Sequence, residues 1–252
     1  MMAMNESFAA QAMVLAAGRG ERMRPLTDHT PKPLLAVKGQ PLLCWHLQAL
    51  LQGGVTRVVI NTAWLGEQIP QALGEQWQGP DGRTQQLRYS HEGRDFGRAL
   101  ETAGGVMRAL PMLDEVFWVM AGDVHAPQLA YDAQALAQFR ASGDLAKLWL
   151  VPNPEHNPGG DFGLDAQGRA LNLPAGHPER RYTFSTVALY RRELFAPPWT
   201  SVPAGNPEGQ ALPLAPLLRA AMDQGRVSAE VFLGAWTDVG TPERLAQAQS
   251  AP

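Results

Sequence analysis

Cysteine is almost missing from this chain. Cys44 is the single one in 252 residues, which excludes an internal disulfide framework and suits a reducing compartment. It sits inside the apolar run "PLLCWHLQALL" and reads as a buried, inert thiol. No apolar run reaches the roughly 20 residues that span a bilayer. The opening "MMAMNESFAAQAMVLAAG" has no basic stretch ahead of its apolar part, so no signal peptide is expected either. Charge is sparse as well, at 18% Asp, Glu, Lys and Arg with a net charge of −3. Such a balance gives no general field for nucleic acid, and any anion site must be local. The six histidines show neither H-E-x-x-H nor Cys/His spacing, so zinc is not expected. The absence of G-x-S-x-G removes the usual signature of acyl chemistry.

What is present is an enzyme-like composition, 45% hydrophobic and long enough to bury a large core. Strand-like and helix-like runs alternate. "AMVLAA", "TRVVINTA", "QLRYSHE", "EVFWVMAGD" and "AKLWLVPNP" read as strands. Between them, "PLLCWHLQALLQGG" (closed by Gly53-Gly54), "LGEQIPQAL", "LETAGGVMRALPML" and "PQLAYDAQALAQFRASG" read as helices. This order predicts an α/β fold with a mostly parallel sheet and helices on both faces. In the second half, "GGDFGLDAQGRALNL" predicts an antiparallel hairpin turning at Asp165–Gly168. "YTFSTVALYRRELF" and "SAEVFLGAWTDVG" predict further strands, and "TPERLAQAQS" a closing helix capped at Thr241. The expected organisation is a disordered tail over residues 1–11 and a single domain over 12–252, soluble, cytoplasmic and monomeric, without nucleic-acid or membrane partners.

The chemistry concentrates in "VLAAGRGERMRPLTDHTPKPLL". A strand that runs into Gly18-Arg19-Gly20 at a sheet edge is suited to cradle phosphate on backbone N–H groups. Met23 stands where a dinucleotide fingerprint needs its third glycine, and no Gly-Lys-Ser/Thr follows for a P-loop. A tight structural turn is the bland alternative. Arg24 and Lys32 change the balance, because prolines on either side restrict the loop that presents them. Arg offers a fork for phosphate oxygens and Lys a point charge. Asp123, after "FWVMAG", and Asp238, after "FLGAWT", are each ordinary turn or cap residues when taken alone. Both are expected at the same sheet edge, where together they make a candidate Mg²⁺ pair. Glycines in Glu101-Thr102-Ala103-Gly104-Gly105 either allow a base or ribose to approach the backbone or serve tight packing.

With those residues in view, "LAAGRGERMRPLTDHTPKPL" resembles the signature of the sugar-1-phosphate nucleotidyltransferases. "LETAGG", "AGDV" and "WTDVGTPERL" follow in the family's order, so the resemblance runs from about Ala12 onward. It is closest to the short, uridylyl-transferring branch that acts on N-acetylmuramate 1-phosphate, which "NPEHNPGGDFGL", "YTFSTVALY" and "LAPLLRAAM" also resemble. The resemblance implies a Rossmann-like domain of the nucleotide-diphospho-sugar transferase type. It implies that Gly18, Gly20, Glu21 and Arg22 wrap the triphosphate of UTP, and that Arg24 stabilises departing pyrophosphate. Lys32 would hold the α-phosphate and the incoming sugar phosphate. Glu92, Thr102, Gly104 and Gly105 would border uracil and ribose, Asp123 and Asp238 would hold Mg²⁺, and Asp161 would contact the sugar. Ala121 departs from the branch, which has Asn there, and removes one sugar hydrogen bond. Other readings keep the chemistry with GTP, dTTP or CTP and another sugar phosphate or phosphocholine, or keep the fold as a nucleotide sensor without turnover.

Overall fold

The structure, a computed structural model, describes residues 10–250. Residues 1–9 of the expected tail lie outside the described residues, whereas Ala10 and Gln11 already belong to the first strand. Along the chain come β1 (Ala10–Ala16), β2 (Ala36–Val37), β3 (Gln40–Pro41), α1 (Leu42–Gln52), β4 (Arg57–Thr62), α2 (Gln68–Leu73) and β5 (Gln76–Gln78). Next are β6 (Thr84–His91), α3 (Glu92–Phe96), α4 (Glu101–Ala109), β7 (Leu113–Ala121), β8 (Val124–His125), α5 (Ala133–Ala141) and β9 (Ala146–Val151). The last third holds β10 (Phe162–Leu164), β11 (Ala170–Leu171), β12 (Arg181–Arg191), α6 (Ala215–Asp223), β13 (Val227–Val231), β14 (Thr237–Asp238) and α7 (Pro242–Ser250).

β1 lies between β4 and β7, all parallel, with Val14 level with Ile60 on one side and Met120 on the other. β6 extends the parallel core beyond β4. β1, β4 and β7 read as largely apolar runs because helices cover both faces, so no polar alternation is imposed. β6 instead alternates exposed and buried residues from Thr84 to Arg88. Beyond β7 the sheet turns mixed: β12 pairs antiparallel with β7 and β9, and β13 pairs parallel with β9. The expected hairpin is β10–β11, docked antiparallel on the start of β12. Its turn closes by Gly168 N–H donating to Asp165 O at 3.2 Å, with Gly168 left-handed at φ 79°, as a tight turn requires.

One sheet face packs Met13, Phe117 and Val119 against α4 and α6 through Val106, Met107 and Leu218. The other packs Val14, Ile60, Trp118 and Met120 against α1 and α5 through Leu43, Leu47, Leu50 and Phe139. Leu43, Leu47 and Leu50 recur at helical spacing, so α1 buries one stripe, each side chain contributing about 1.5–3 kcal/mol. Cys44 is buried in the same helix, and burial pushes its thiol up to about 11, which leaves it inert. Among the described residues no helix is long and apolar enough to cross a membrane.

Two expectations need correction. The helix expected from Pro127 begins only after Asp132, whose carboxylate accepts from the N–H groups of Gln134 and Ala135. A capping aspartate inside the run outweighs the periodicity ahead of it. The strand expected over 228–240 is two pieces: β13 ends at Val231, and Asp238 lies in β14, paired with β8 off the central sheet.

Candidate active site

The parallel strands β1, β4, β6 and β7 deliver their carboxyl ends to one edge, where open α/β sheets bind ligands. After β1 the chain makes three short 3-10 turns over Glu21–Met23, Leu26–Asp28 and Lys32–Leu34. Gly20 is left-handed at φ 65°, and a Cβ there would stand 3.1 Å from Thr27 Cγ2 and 3.3 Å from Lys32 Cβ. The loop therefore folds back on a glycine that has neither the space nor the conformation for a side chain. Thr27 fixes it: the buried hydroxyl donates to Gly20 O at 2.8 Å. Thr27 O in turn accepts from Trp64 Nε1 at 2.9 Å and Arg19 Nη1 at 3.1 Å. Arg19 stacks 3.4 Å over the Trp64 ring and reaches Asp28. It is a brace of the loop rather than a free anion ligand.

Below the loop lies a cleft of about 390 Å³ lined by Gly18, Gly20, Lys32, Thr102 and Asp123, with buried Asn61 and Glu92 beneath. Asn61 and Glu92 join the separate segments. Ala16 N–H donates to Asn61 Oδ1 at 2.7 Å, Asn61 Nδ2 donates to Glu92 Oε1 at 2.7 Å, and Leu100 N–H donates to Glu92 Oε2 at 2.8 Å. Burial pushes the Glu92 carboxyl above its ordinary range, opposed by the bonds from Asn61 and Leu100. Glu92 thus holds the phosphate loop, β4 and the start of α4 in register, with both of its oxygens occupied. Gly105 belongs to the same contact, since a Cβ on it would meet Glu92 Oε1 at 2.6 Å and Asn61 Nδ2 at 2.9 Å. Gly104 is closed off similarly, by Gln210 O at 2.6 Å. Both glycines sit inside protein packing and outside the cleft wall, so the packing alternative accounts for their positions.

Lys32 Nζ pairs with Asp123 Oδ2 at 2.5 Å. Asp238 is held by Arg244 Nη1 at 2.7 and 2.9 Å and approached by His156 Nε2 at 3.1 Å. The two aspartates neighbour each other through the β8–β14 ribbon, where Asp238 is level with Val124 and Val239 N–H donates to Asp123 O at 2.8 Å. Among the described residues no group of three or more acidic, histidine or cysteine side chains could hold a metal. Two carboxylates with cationic partners do fit a hard divalent ion that takes its remaining oxygens from phosphates and water.

The other expected residues fall elsewhere. Glu21, Arg22 and Arg24 are exposed and outside the cleft wall, with Arg24 Nε 3.2 Å from Asp28. Ala121 ends β7, level with Leu15. Asp161 lines a second cavity of about 350 Å³, with Phe162, Phe184, Thr186 and Arg219. Asp161 Oδ2 is already engaged by Phe184 N–H at 2.8 Å. The two cavities meet at Leu15, Glu101 and Thr102. Glu101 and Thr186, which both line the second cavity, have positive φ of 61° and 65°, costly for side-chain-bearing residues and characteristic of functional sites. Sequence reasoning did not find Asn61, Glu101, Thr186, Arg219 or Arg244 as site residues. For Arg244 the signal was available, six residues past Asp238 in "TPERL".

A glycine loop thus lies over the carboxyl edge of a parallel core, with Lys32, Asp123 and Asp238 beside it. The chain belongs to the nucleotidyl transferase family, which it matches over residues 11–251. Within that family it is a sugar-1-phosphate nucleotidyltransferase. It is 46% identical to the N-acetylmuramate alpha-1-phosphate uridylyltransferase of Neisseria meningitidis, over 95% of this chain and 97% of that one. It is 30% identical to the enzyme of the same name from Caulobacter vibrioides, over 95% of each chain. The fold matches the inositol-1-phosphate CTP transferase of T. maritima with a TM-score of 0.68, covering 97% and 98% of the two chains at 18% identity.

Proposed function

We propose that this protein transfers the uridylyl group of UTP to N-acetylmuramate 1-phosphate, releasing pyrophosphate and forming UDP-N-acetylmuramate. The observation that carries the reading is the 46% identity maintained over nearly the full length of both chains. The geometry supports it. Backbone groups of Gly18–Gly20 receive the triphosphate, and the cleft between the loop and Asn61–Glu92 takes the nucleoside. The second cavity, reached past Leu15 and Thr102, takes the sugar.

In the reaction, a phosphate oxygen of the sugar 1-phosphate attacks the α-phosphorus of UTP in line. The bond to the β-phosphate oxygen breaks, and its electron pair leaves with pyrophosphate. A phosphate monoester with a second pKa of about 6 is largely dianionic at neutral pH, so no side chain has to remove a proton. The residues act by positioning and by neutralising charge. Lys32 draws together the α-phosphate and the attacking phosphate, and Arg24, released from Asp28, meets the departing pyrophosphate. Asp123 and Asp238 would hold Mg²⁺, which supplies Lewis-acid polarisation of the phosphate oxygens when bound. On this reading the enzyme serves the reuse of cell-wall sugars in the cytoplasm.

The test is pyrophosphate release with Mg²⁺ and N-acetylmuramate 1-phosphate, comparing UTP with GTP, dTTP and CTP. Release with UTP above the others supports the reading. Release only with another triphosphate or another sugar phosphate overturns the substrate, and no release under any combination overturns the activity.

A further inference from the structure

Arg219, on α6, is the single cationic side chain in the wall of the second cavity. It is half-buried, and its Nη1 donates to Asn172 Oδ1 at 2.6 Å. Its guanidinium carbon lies 5.2 Å from the centre of the Phe162 ring. Among the described residues it forms no ion pair. The nearest acid in the network, Asp223, is reached only through the Asn172 amide, which donates to it at 3.0 and 3.2 Å. A guanidinium oriented by one hydrogen bond and one ring, but left without a carboxylate, retains donors and charge for a ligand. Removing it from water unpaired is costly, so a site that retains it gains only if the ligand supplies the anion.

The position gives that anion an address. The first cavity carries Lys32 and the second carries Arg219, and they join at Leu15, Glu101 and Thr102. An acceptor lying across the junction puts its 1-phosphate toward Lys32 and its far substituents toward α6. Neither remaining acid of the second cavity pairs with Arg219: Asp161 Oδ2 accepts from Phe184 N–H at 2.8 Å and from Asn157 Nδ2 at 3.3 Å, and Glu101 stands at the junction. Apolar side chains of Phe162, Phe184 and Leu218 complete the wall around the guanidinium and lower the effective dielectric there, which strengthens a charge-assisted bond.

We propose that Arg219 determines acceptor specificity by binding a carboxylate carried by the sugar at the end remote from its phosphate. The proposal rests on the acceptor reading given above. The lactyl ether acid of N-acetylmuramate is such a group, and N-acetylglucosamine 1-phosphate is the same sugar without it. Arg219 then distinguishes a dianionic monoester bearing a third negative charge from the neutral-ring sugar phosphates that the same fold can handle.

The experiment measures kcat/KM for N-acetylmuramate 1-phosphate and for N-acetylglucosamine 1-phosphate in the wild type, Arg219→Gln and Arg219→Lys. If the second sugar turns over too slowly, its inhibition constant replaces its kcat/KM. Arg219→Gln is expected to lose about 10- to 100-fold on the muramate, mainly through KM, the range of one charged hydrogen bond. Its handling of the glucosamine sugar and its KM for UTP stay at the wild-type value, and Arg219→Lys recovers part of the loss. Equal losses on both sugars, or an unchanged preference, overturn the proposal, and an unchanged KM for UTP shows that the variant is folded. Wild-type turnover of the muramate tests the acceptor reading separately: if it is absent, that reading falls, and if it is present with an unchanged preference in Arg219→Gln, only the role of Arg219 falls.

Discussion

Lys32 Nζ lies 2.5 Å from Asp123 Oδ2, a contact that spans 91 positions of sequence. It ties the glycine loop to the end of β7 and sets two opposite charges against each other at the edge of the cleft. Lys32 is almost fully buried along its stem, so the loop cannot relax away from the aspartate without exposing apolar carbons. Asp123→Asn is therefore expected to lower turnover by at least about 100-fold and to weaken Mn²⁺ binding followed by electron paramagnetic resonance. Wild-type affinity for Mn²⁺ in the variant contradicts the assignment.

Arg244 competes for the other aspartate. Its Nη1 donates to both oxygens of Asp238, and a cation drawn to Asp238 has to share those oxygens with it. Arg244→Gln is expected to tighten Mn²⁺ binding without nucleotide by up to about fivefold, the scale of a partly exposed ion pair. Weaker binding would show instead that Arg244 orients Asp238 for the metal.

Arg24 is paired with Asp28 and outside the cleft wall, and the proposed reaction gives it the departing pyrophosphate. Arg24→Ala is expected to lower kcat by about 10- to 100-fold with a smaller change in KM for UTP. A larger effect on KM than on kcat would make Arg24 a ground-state binding residue.

Glu92 gives a pH prediction. Burial raises its carboxyl pKa above the ordinary 4.5, so the folded protein binds this proton more tightly than the unfolded chain does. That contribution to stability is complete below about pH 4.5 and is lost as the pH rises through the folded value. Glu92→Gln removes the titration but turns an amide donor toward a donor, Asn61 Nδ2 or Leu100 N–H. The variant is expected to be less stable by about 1–3 kcal/mol, with a flatter dependence of Tm on pH above 4.5. An unchanged slope in thermal melts between pH 4.5 and 7 contradicts it.

The strands were legible because "TRVVINTA" and "EVFWVMAGD" are buried on both faces, and α1 because its leucines repeat at helical spacing. Asp238 was placed on the wrong strand because Phe232 and Trp236 continue an apolar run past the point where β13 leaves the sheet. In the site, the loop's glycines and Lys32 could be read from local chemistry. The partners could not: Lys32 and Asp123, or Asn61 and Glu92, meet only through the sheet order. Nor could the stacking of Arg19 on Trp64, 45 positions on, be read from the loop alone. Glu101 gave no sequence sign of its left-handed backbone.

The central claim is transfer at the α-phosphorus, and a single turnover with UTP labelled either at the α- or at the γ-phosphate tests it most directly, with N-acetylmuramate 1-phosphate as acceptor. The α label is expected in the nucleotide sugar and the γ label in pyrophosphate. The γ label in inorganic phosphate or on the sugar would contradict it.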